Sequence, residues 1–344
     1  MRLLICTQTV DERDPLLGFF HRWIEALATR YEAVTVICLF EGTHALPSNV
    51  TVYSLGKEKG SVSRLRYALR FWRLIRRLKN SYDAVFVHMN EEYVLLGGRF
   101  WKRRGKRIYL WRNHYRGTAL TDRAARYCDK IFCTSKYSYT AKYPRTIFMP
   151  VGVDLERFMP LADTARDPRG ILFLGRMAPS KKPDVLLQAL ALLKKEGVHC
   201  SAALYGSPLT KDEGYYANLK ALAHELGIED IATFHPGLPN SETPRLYNSH
   251  SIFVNCSSSG MFDKTLFEAM ACECLVVAAS DDLRELVGQQ YIYKDGDAAD
   301  LAAHLKSLLV LPVLERQGLG VQMRHLSEGH SLKALVERLS EEMV

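Results

Sequence analysis

Apolar positions in this chain fall into short runs separated by segments with helical spacing. LLIC at 3–6, VTVICLF at 34–40, AVFV at 84–87 and IFC at 131–133 show little alternation with polar residues. Strands buried on both faces read this way, and a parallel sheet covered by helices buries both faces. Between the runs, residues such as Phe19, Trp23 and Leu27 recur every four positions. The pattern predicts strands at 2–7, 34–40, 50–55, 84–88, 107–111 and 130–134. Helices are predicted from Phe19 and over about 62–79, 91–103 and 119–127.

Residues 147–168 interrupt the series with Pro150, Gly152, Pro160 and Pro168 and read as a connection between domains. A second alternation follows, with strands at 170–174, 200–205, 231–234, 252–255 and 275–279 and helices at 183–196, 215–226, 242–247 and 300–309. Pro183 suits the first turn of its helix, where its missing N–H costs nothing. A last helix at 331–343 carries Leu332, Leu335, Val336 and Leu339 on one face. The expected organisation is two α/β domains with parallel sheets, 1–155 and 156–322, and a C-terminal helical segment, 323–344, packing back on the first.

Length agrees, since 344 residues exceed one compact core and suit two domains. The chain is 47% hydrophobic and 24% charged, ordinary for a globular protein. No apolar run reaches the ~18–20 residues that cross a bilayer. The N-terminal MRLLICTQTVDERD turns polar too soon for a signal peptide and reads as a strand. Eight scattered cysteines, several inside strand runs, suggest buried reduced thiols and a cytoplasmic protein. Cys272 and Cys274 are the one close pair; without a second pair or a histidine cluster, core packing is favoured over zinc.

Charge changes the picture more. The net +8 is unevenly spread: residues 1–160 hold 28 Lys and Arg against 14 Asp and Glu, and residues 161–344 hold 18 against 24. A basic half beside an acidic half supports separate domains and implies that the basic one faces membrane surface, nucleic acid or an acidic substrate. The helix RLRYALRFWRLIRRLK at 64–79 carries much of that charge. Leu65, Ala68, Leu69, Trp72 and Ile75 read as its apolar face and Arg66, Arg70, Arg73 and Arg77 as its cationic one, with more cations at 102–107. Such a helix suits an anionic membrane surface, or simply buries Leu65, Leu69 and Trp72 in the domain core. No recognised nucleic-acid module accompanies it.

Candidate chemistry concentrates at 255–280, NCSSSGMFDKTLFEAMACECLVVAAS, which reads as strand, glycine loop, short helix and strand. A helix opening near 264–266 would turn free N–H groups and its positive dipole end towards the loop, a site suited to phosphate. Glu268, in the first turns, either faces a ligand or is solvated, and Asp263 either meets a ligand or caps the helix. Upstream, FLGRMAPSKKPDVLLQAL places Arg176 just past a strand and Lys181 five residues on. A forked guanidinium and a point-charge ammonium on a strand-end loop are what a diphosphate needs; two solvated cations are the alternative. Open α/β sheets bind ligands beyond the carboxyl ends of their strands, where His114 in WRNHYRG and His88 in VFVHMNEE stand. Asp295-Gly296-Asp297 has the spacing of a metal-binding pair but reads as a turn and helix start. No G-x-G-x-x-G follows the first strand, which counts against a dinucleotide-dependent oxidoreductase.

Gly175-Arg176 with Lys181 and Asp184-Val185-Leu186-Leu187, then Glu268-Ala269-Met270-Ala271-Cys272 and Val276-Val277-Ala278, resemble the motifs of the family 4 glycosyltransferases. Val151-Gly152-Val153-Asp154, Arg157-Phe158 and Phe234-His235-Pro236-Gly237 are supporting echoes. The resemblance covers nearly the whole chain and is specific mainly over 170–300. It implies the α/β GT-B fold of two facing Rossmann-like domains. It also implies transfer of a sugar, with retention, from a nucleotide diphosphate sugar (UDP or GDP), with no metal or other cofactor. By that resemblance Arg176 and Lys181 hold the donor diphosphate and His114 contacts donor sugar or acceptor. Glu268 anchors the donor, the Thr265 and Leu266 amides meet its phosphate, and Gly237 lines the base. Gly18 lets backbone approach the phosphate, or is a simple turn glycine. The family commonly has two glutamates separated by seven residues, and Gly260 stands here at the first. Asp263 and Lys264 are therefore expected to serve sugar and phosphate in its place. The family's usual Gly and Pro after the helix are here Glu273 and Leu275.

The implied partners are the nucleotide-sugar donor, a glycan or lipid-linked acceptor and an anionic membrane surface reached through the basic N-terminal domain, with no nucleic acid. The implied location is the cytoplasm, peripheral on the inner membrane face. Gly260 and Glu273 keep open an alternative: a non-catalytic nucleotide- or polyanion-binding protein derived from such an enzyme.

Overall fold

The structure is a computed structural model that describes residues 1–60, 62–260 and 262–343. The chain divides into two units. The first comprises Met1–Gly152, Pro239–Ser241 and the segment from Leu332 onward; the second comprises Val153–Leu238 and Glu242–Ser331.

The first unit is one parallel sheet of β1 (Arg2–Val10), β2 (Ala33–Glu41), β3 (Val50–Ser54), β4 (Ala84–His88), β5 (Arg107–Trp111), β6 (Lys130–Cys133) and β7 (Thr146–Phe148). Its order is β3-β2-β1-β4-β5-β6-β7. The connecting helices are α1 (Phe19–Ala28), α2 (Arg64–Arg77), α3 (Glu92–Arg103) and α4 (Ala119–Ala125). The pleat explains the unbroken apolar runs. Leu3 and Ile5 enter a core with Phe20, Trp23 and Ile24, whereas Leu4 and Cys6 enter a second core with Phe71, Ile75 and Trp101. Both faces are covered, so neither set of alternating positions can be polar.

Helix α2 buries a different face from the one its pattern selects. Phe71, Ile75 and Leu78 are buried, with Tyr67 and Leu74 packed beside them. Leu65 and Leu69 are instead 70% and 48% exposed. Two apolar stripes share this helix, and only one can face the sheet. The stripe running the full length of the helix takes that place, leaving Leu65, Leu69 and half-buried Trp72 outside among arginines, with Arg76 lying 4.6 Å over the Trp72 ring.

The second unit is a parallel sheet of β8 (Asp167–Leu174), β9 (Ser201–Tyr205), β10 (Ala232–His235), β11 (His250–Asn255) and β12 (Leu275–Ala278), ordered β10-β9-β8-β11-β12. Its helices are α5 (Pro183–Lys195), α6 (Glu213–Glu225), α7 (Thr243–Ser249), α8 (Lys264–Ala271), α9 (Arg284–Val287), α10 (Ala298–Leu309) and α11 (Val313–Glu328). The sequence pattern does not predict α11, which has glycines at 318 and 320 and exposes Leu314 by 82%. Gly320 has a packing reason, since a Cβ there would lie 2.5 Å from the Glu273 carbonyl oxygen. The chain leaves the second unit at Ser331. Helix α12 (Leu332–Glu342) then buries Leu332, Leu335, Val336 and Leu339 in the core that holds Leu3 and Trp23. Strand order reverses between β1 and β4 and between β8 and β11, the topological switch points at which open sheets bind ligands.

Candidate functional site

The switch point of the second unit brings two loops together. From β8, Gly175-Arg176 leads through the turn Pro179–Lys181 into α5; from β11, the chain runs from Asn255 to Asp263 and into α8. The first loop lies close against neighbouring backbone: a Cβ on Gly206 would fall 1.8 Å from the Gly175 oxygen. Gly206 therefore lets the Arg176 turn pass where any side chain would block it.

Asp263 and Lys181 join the loops. The Lys181 Nζ donates to both Asp263 oxygens at 2.6 and 2.9 Å and to Ser257 Oγ at 3.2 Å. Asn255 Nδ2 and Ser257 Oγ also donate to Asp263, at 2.9 and 2.7 Å. The two side chains are only 16% and 17% exposed. Burial pushes the Asp263 carboxyl up, but the Lys181 charge and the bonds from Lys181, Asn255 and Ser257 outweigh it, so it lies below its ordinary value. Of its two readings, Asp263 does not adopt the helix cap. It occupies the N-cap position without a side-chain cap bond, because its oxygens are turned to Lys181. The first turn of α8 keeps its amides from a side-chain cap, although the Leu266 amide donates to the Asp263 carbonyl at 3.1 Å and is not free for phosphate. Thr265 remains at the helix opening.

A second pair repeats the device. Lys182 adopts a left-handed backbone, φ 48 and ψ 45, unusual for a long side chain. Its Nζ reaches Ser258 Oγ at 3.0 Å and Asp295 at 2.7 Å, and Ser258 donates to Asp295 at 2.7 Å. Asp297 caps α10 through the Ala299 and Asp300 amides, so the 295–297 segment is the turn and helix start its sequence suggests. Ser257, Ser258, Asn255 and Lys182 carried no role in the sequence reading, and Asp295 read only as part of a turn. The consecutive lysines facing consecutive serines are the signal that could have found them.

Glu268 is neither solvated nor exposed. It is 2% exposed, and Tyr247 Oη donates to its Oε2 at 3.1 Å. Lys264 is half-buried by surface, yet protein closes in its ammonium. Burial lowers its pKa to about 8, with Glu268 and Asp154 opposing the shift and Arg157 adding to it. The unfolded chain, with lysine near ~10.4, binds the extra proton between these values. The contribution of Lys264 to stability must therefore rise as pH climbs from about 8 towards ~10.4. Urea unfolding of wild type and Lys264→Met at pH 7 and pH 10 should show their difference moving in favour of wild type. A difference that ignores pH would contradict this environment. Arg176 is half-buried and has no hydrogen bond or ion pair among the described residues. The Gly237 amide donates to Ser207 Oγ at 3.0 Å, beside Gly206.

The remaining candidates lie in the first unit. His114 follows β5, half-buried. Its Nδ1 lies 2.9 Å from the Arg116 amide nitrogen and 3.2 Å from the Arg116 carbonyl oxygen. Its ring stacks on Tyr115, centroids 4.8 Å apart, and burial holds its pKa down. His88 is a core residue: 2% exposed, stacked on Phe20 at 3.9 Å and bonded to Thr7. Gly18 precedes α1 with ordinary helical angles, and a Cβ there would lie 2.6 Å from the Asp14 oxygen and 2.8 Å from that of Glu12. Packing against its own loop is reason enough for glycine. Among the described residues no group of three or more His, Cys, Asp or Glu could hold a metal ion. All eight cysteines are buried and free.

Residues 161–320 match the family model "Glycosyl transferases group 1", and residues 16–114 match "Glycosyl transferase 4-like". The chain belongs to the family 4 glycosyltransferases. Similar curated relatives of this family member are the D-inositol 3-phosphate glycosyltransferases of Thermomonospora curvata and Frankia alni. The first is 35% identical over 192 residues, covering 49% of this chain and 44% of that protein. The second is 36% identical over 155 residues, covering 41% and 38%. The chain thus spans less than half the length of these relatives. Solved structures show the fold over the whole chain. HepE of Anabaena, in complex with UDP and glucose, superposes with a TM-score of 0.80 at 16% identity, covering 99% of this chain and 98% of that one. Sucrose-phosphate synthase of Thermosynechococcus elongatus gives 0.81 at 16% identity, with 99% and 98% covered. Family and fold are those of the GT-B glycosyltransferases.

Proposed function

We propose that this protein transfers a sugar from a nucleotide diphosphate sugar to a glycan or lipid-linked acceptor, with retention and without a metal. The observation that carries the reading is the pair of loops at the β8/β11 switch point, which sets Arg176, without a partner among the described residues, and Lys181 near the opening of α8. In this reading Arg176, Lys181 and the Thr265 amide stabilise the charge that grows on the departing diphosphate. The bond from the anomeric carbon to the diphosphate breaks, the bond to the acceptor oxygen forms, and the acceptor proton passes to the leaving phosphate. Asp263 and Lys264 stand in for the carboxylate missing at Gly260, while Glu268 holds the ribose from its buried seat. Gly237 lines the base. His114 and Gly18 belong to the first unit, which receives the acceptor; the second unit holds the donor, and the helix from Leu332 braces the first.

The first unit also supports attachment to an anionic membrane face. Leu65, Leu69 and Trp72 point outward among Arg66, Arg70, Arg73, Arg76 and Arg77 on α2, apolar and cationic groups on one surface. No helix among the described residues is long and apolar enough to cross a membrane. The location that fits is the cytoplasm, peripheral on the inner membrane face, with no nucleic-acid partner.

A second reading, a non-catalytic nucleotide-binding descendant, rests on Gly260 and on Lys181 being already paired with Asp263. A thermal-shift panel of UDP, GDP, ADP and CDP separates the readings when followed by incubation with the matching nucleotide sugars. UDP is the first to try, since HepE was solved with it. A bound nucleotide at ~100 times its Kd should stabilise by about 2.7 kcal/mol. Binding together with donor consumption supports transfer. Binding with every donor left intact, with and without lipid-linked acceptors, supports the second reading.

A further inference from the structure

A cavity of about 390 Å³ lies at the amino ends of β8 and β11 and beside the turn into β12, away from the carboxyl ends that carry Arg176 and Asp263. Arg316 of α11 and Arg166 line it together with the single carboxylate Glu273, and Leu161, Val313 and Val321 form an apolar wall. Arg166 is committed: its two Nη groups donate to the Glu273 and Cys272 carbonyls at 2.8 and 2.7 Å, holding the end of α8. Arg316 is different. It is only 8% exposed, one Nη donates to the Pro168 carbonyl, and its Nε is buried with no hydrogen-bond partner among the described residues.

A buried charged donor left unbonded is costly, and folded proteins almost always satisfy one with protein, ordered water or an ion. The Arg316 side chain lines the cavity, so a guanidinium partner beyond the Pro168 carbonyl would come from there. Charge decides which kind. Two guanidinium groups face one carboxylate in the lining, and Asp167 and Arg169 add one charge of each sign nearby. The balance is positive, and a guanidinium fork matches the paired oxygens of a carboxylate or phosphate. The apolar wall leaves room for a short hydrocarbon body beside that charge, the mix of surfaces typical of small-molecule sites. We propose that this cavity binds a small oxyanion-bearing metabolite, a carboxylate or phosphoester with a short apolar body, through Arg316.

The test is calorimetric titration of the full chain with inorganic phosphate and with butyrate, at ionic strength matched with chloride. At least one should bind saturably, and binding should weaken at least tenfold in Arg316→Gln. Val321→Trp, which enlarges the apolar side of the cavity lining, should weaken it similarly and guards against a folding defect in the first variant. Binding of phosphate alone assigns the site to phosphoesters, and binding of butyrate alone assigns it to carboxylates. If neither anion saturates beyond chloride, Arg316 is satisfied by water and the proposal falls. It falls equally if binding survives Arg316→Gln and Val321→Trp but disappears in Lys181→Ala, because the anion then sits at the donor loops.

Discussion

Lys181→Ala is expected to lower turnover at least ~10²-fold, the scale of losing one preorganised charge donor at a developing anion. It should also destabilise the second unit, which Arg176→Ala should not. The difference follows from the partners. Lys181 is 16% exposed and shares its ammonium with Asp263, itself 17% exposed, so its removal leaves a largely buried carboxylate with only Asn255 and Ser257. Leaving such a group short of a partner costs about 2 kcal/mol. Arg176 has no partner to abandon among the described residues, so its loss should appear in turnover alone. The double variant Lys181→Met with Asp263→Asn isolates the two roles. If Lys181 acts on the diphosphate, the double variant regains melting temperature and stays slow. If Lys181 only neutralises Asp263, activity returns with stability, and the assignment of Lys181 to the donor is lost.

Leu335→Ala should cost the first unit about 2–5 kcal/mol, because it deletes fully buried methyl groups from a closed core. Leu335 lies far along the chain from the strands it covers. Its side chain meets the Cα side of Gly152, where φ is +80 and a Cβ would come within 2.3 Å of it, and Trp23 Nε1 donates to the Gly152 oxygen at 3.2 Å. Collapse around the cavity is hindered by these fixed neighbours, which places the loss towards the upper end. Hydrogen exchange, read on β1 and α1, should show the weakening there and much less in β8 to β12. Equal weakening of both units would show that the last helix is not a specific part of the first.

The strands were legible because burial on both faces of a sheet is written locally. β4 and β5 run over 84–88 and 107–111 as their apolar runs predict. Helices were legible where one apolar stripe dominates, and ambiguous where two compete. α2 carries two, and the sheet decided between them. α11 carries no clean stripe, being wedged by Gly320 against the Glu273 carbonyl, and left no periodic signal. In the site, Arg176, Lys181 and the opening of α8 stood out because strand-end cations and a glycine loop have recognisable chemistry. Their mutual arrangement did not. Asp263 reads as a ligand contact or a cap from its position before a helix, and only the approach of Lys181 turns its oxygens away from the cap. Glu268 reads as facing a ligand or solvated, and only α7, bringing Tyr247, shows it buried.

The amino-acid sequence by itself determined the alternation of buried strands and helices, the split between a basic and an acidic half, and the placing of phosphate-seeking groups beyond strand ends. These depend on the character and spacing of residues close together in the chain. The tertiary structure alone decided which charges meet. Lys181 and Asp263 are 82 residues apart, and Lys182 and Asp295 are 113 apart. Such pairs exist only because parallel strands deliver their following loops to one edge of the sheet, where ions half withdrawn from water must find one another.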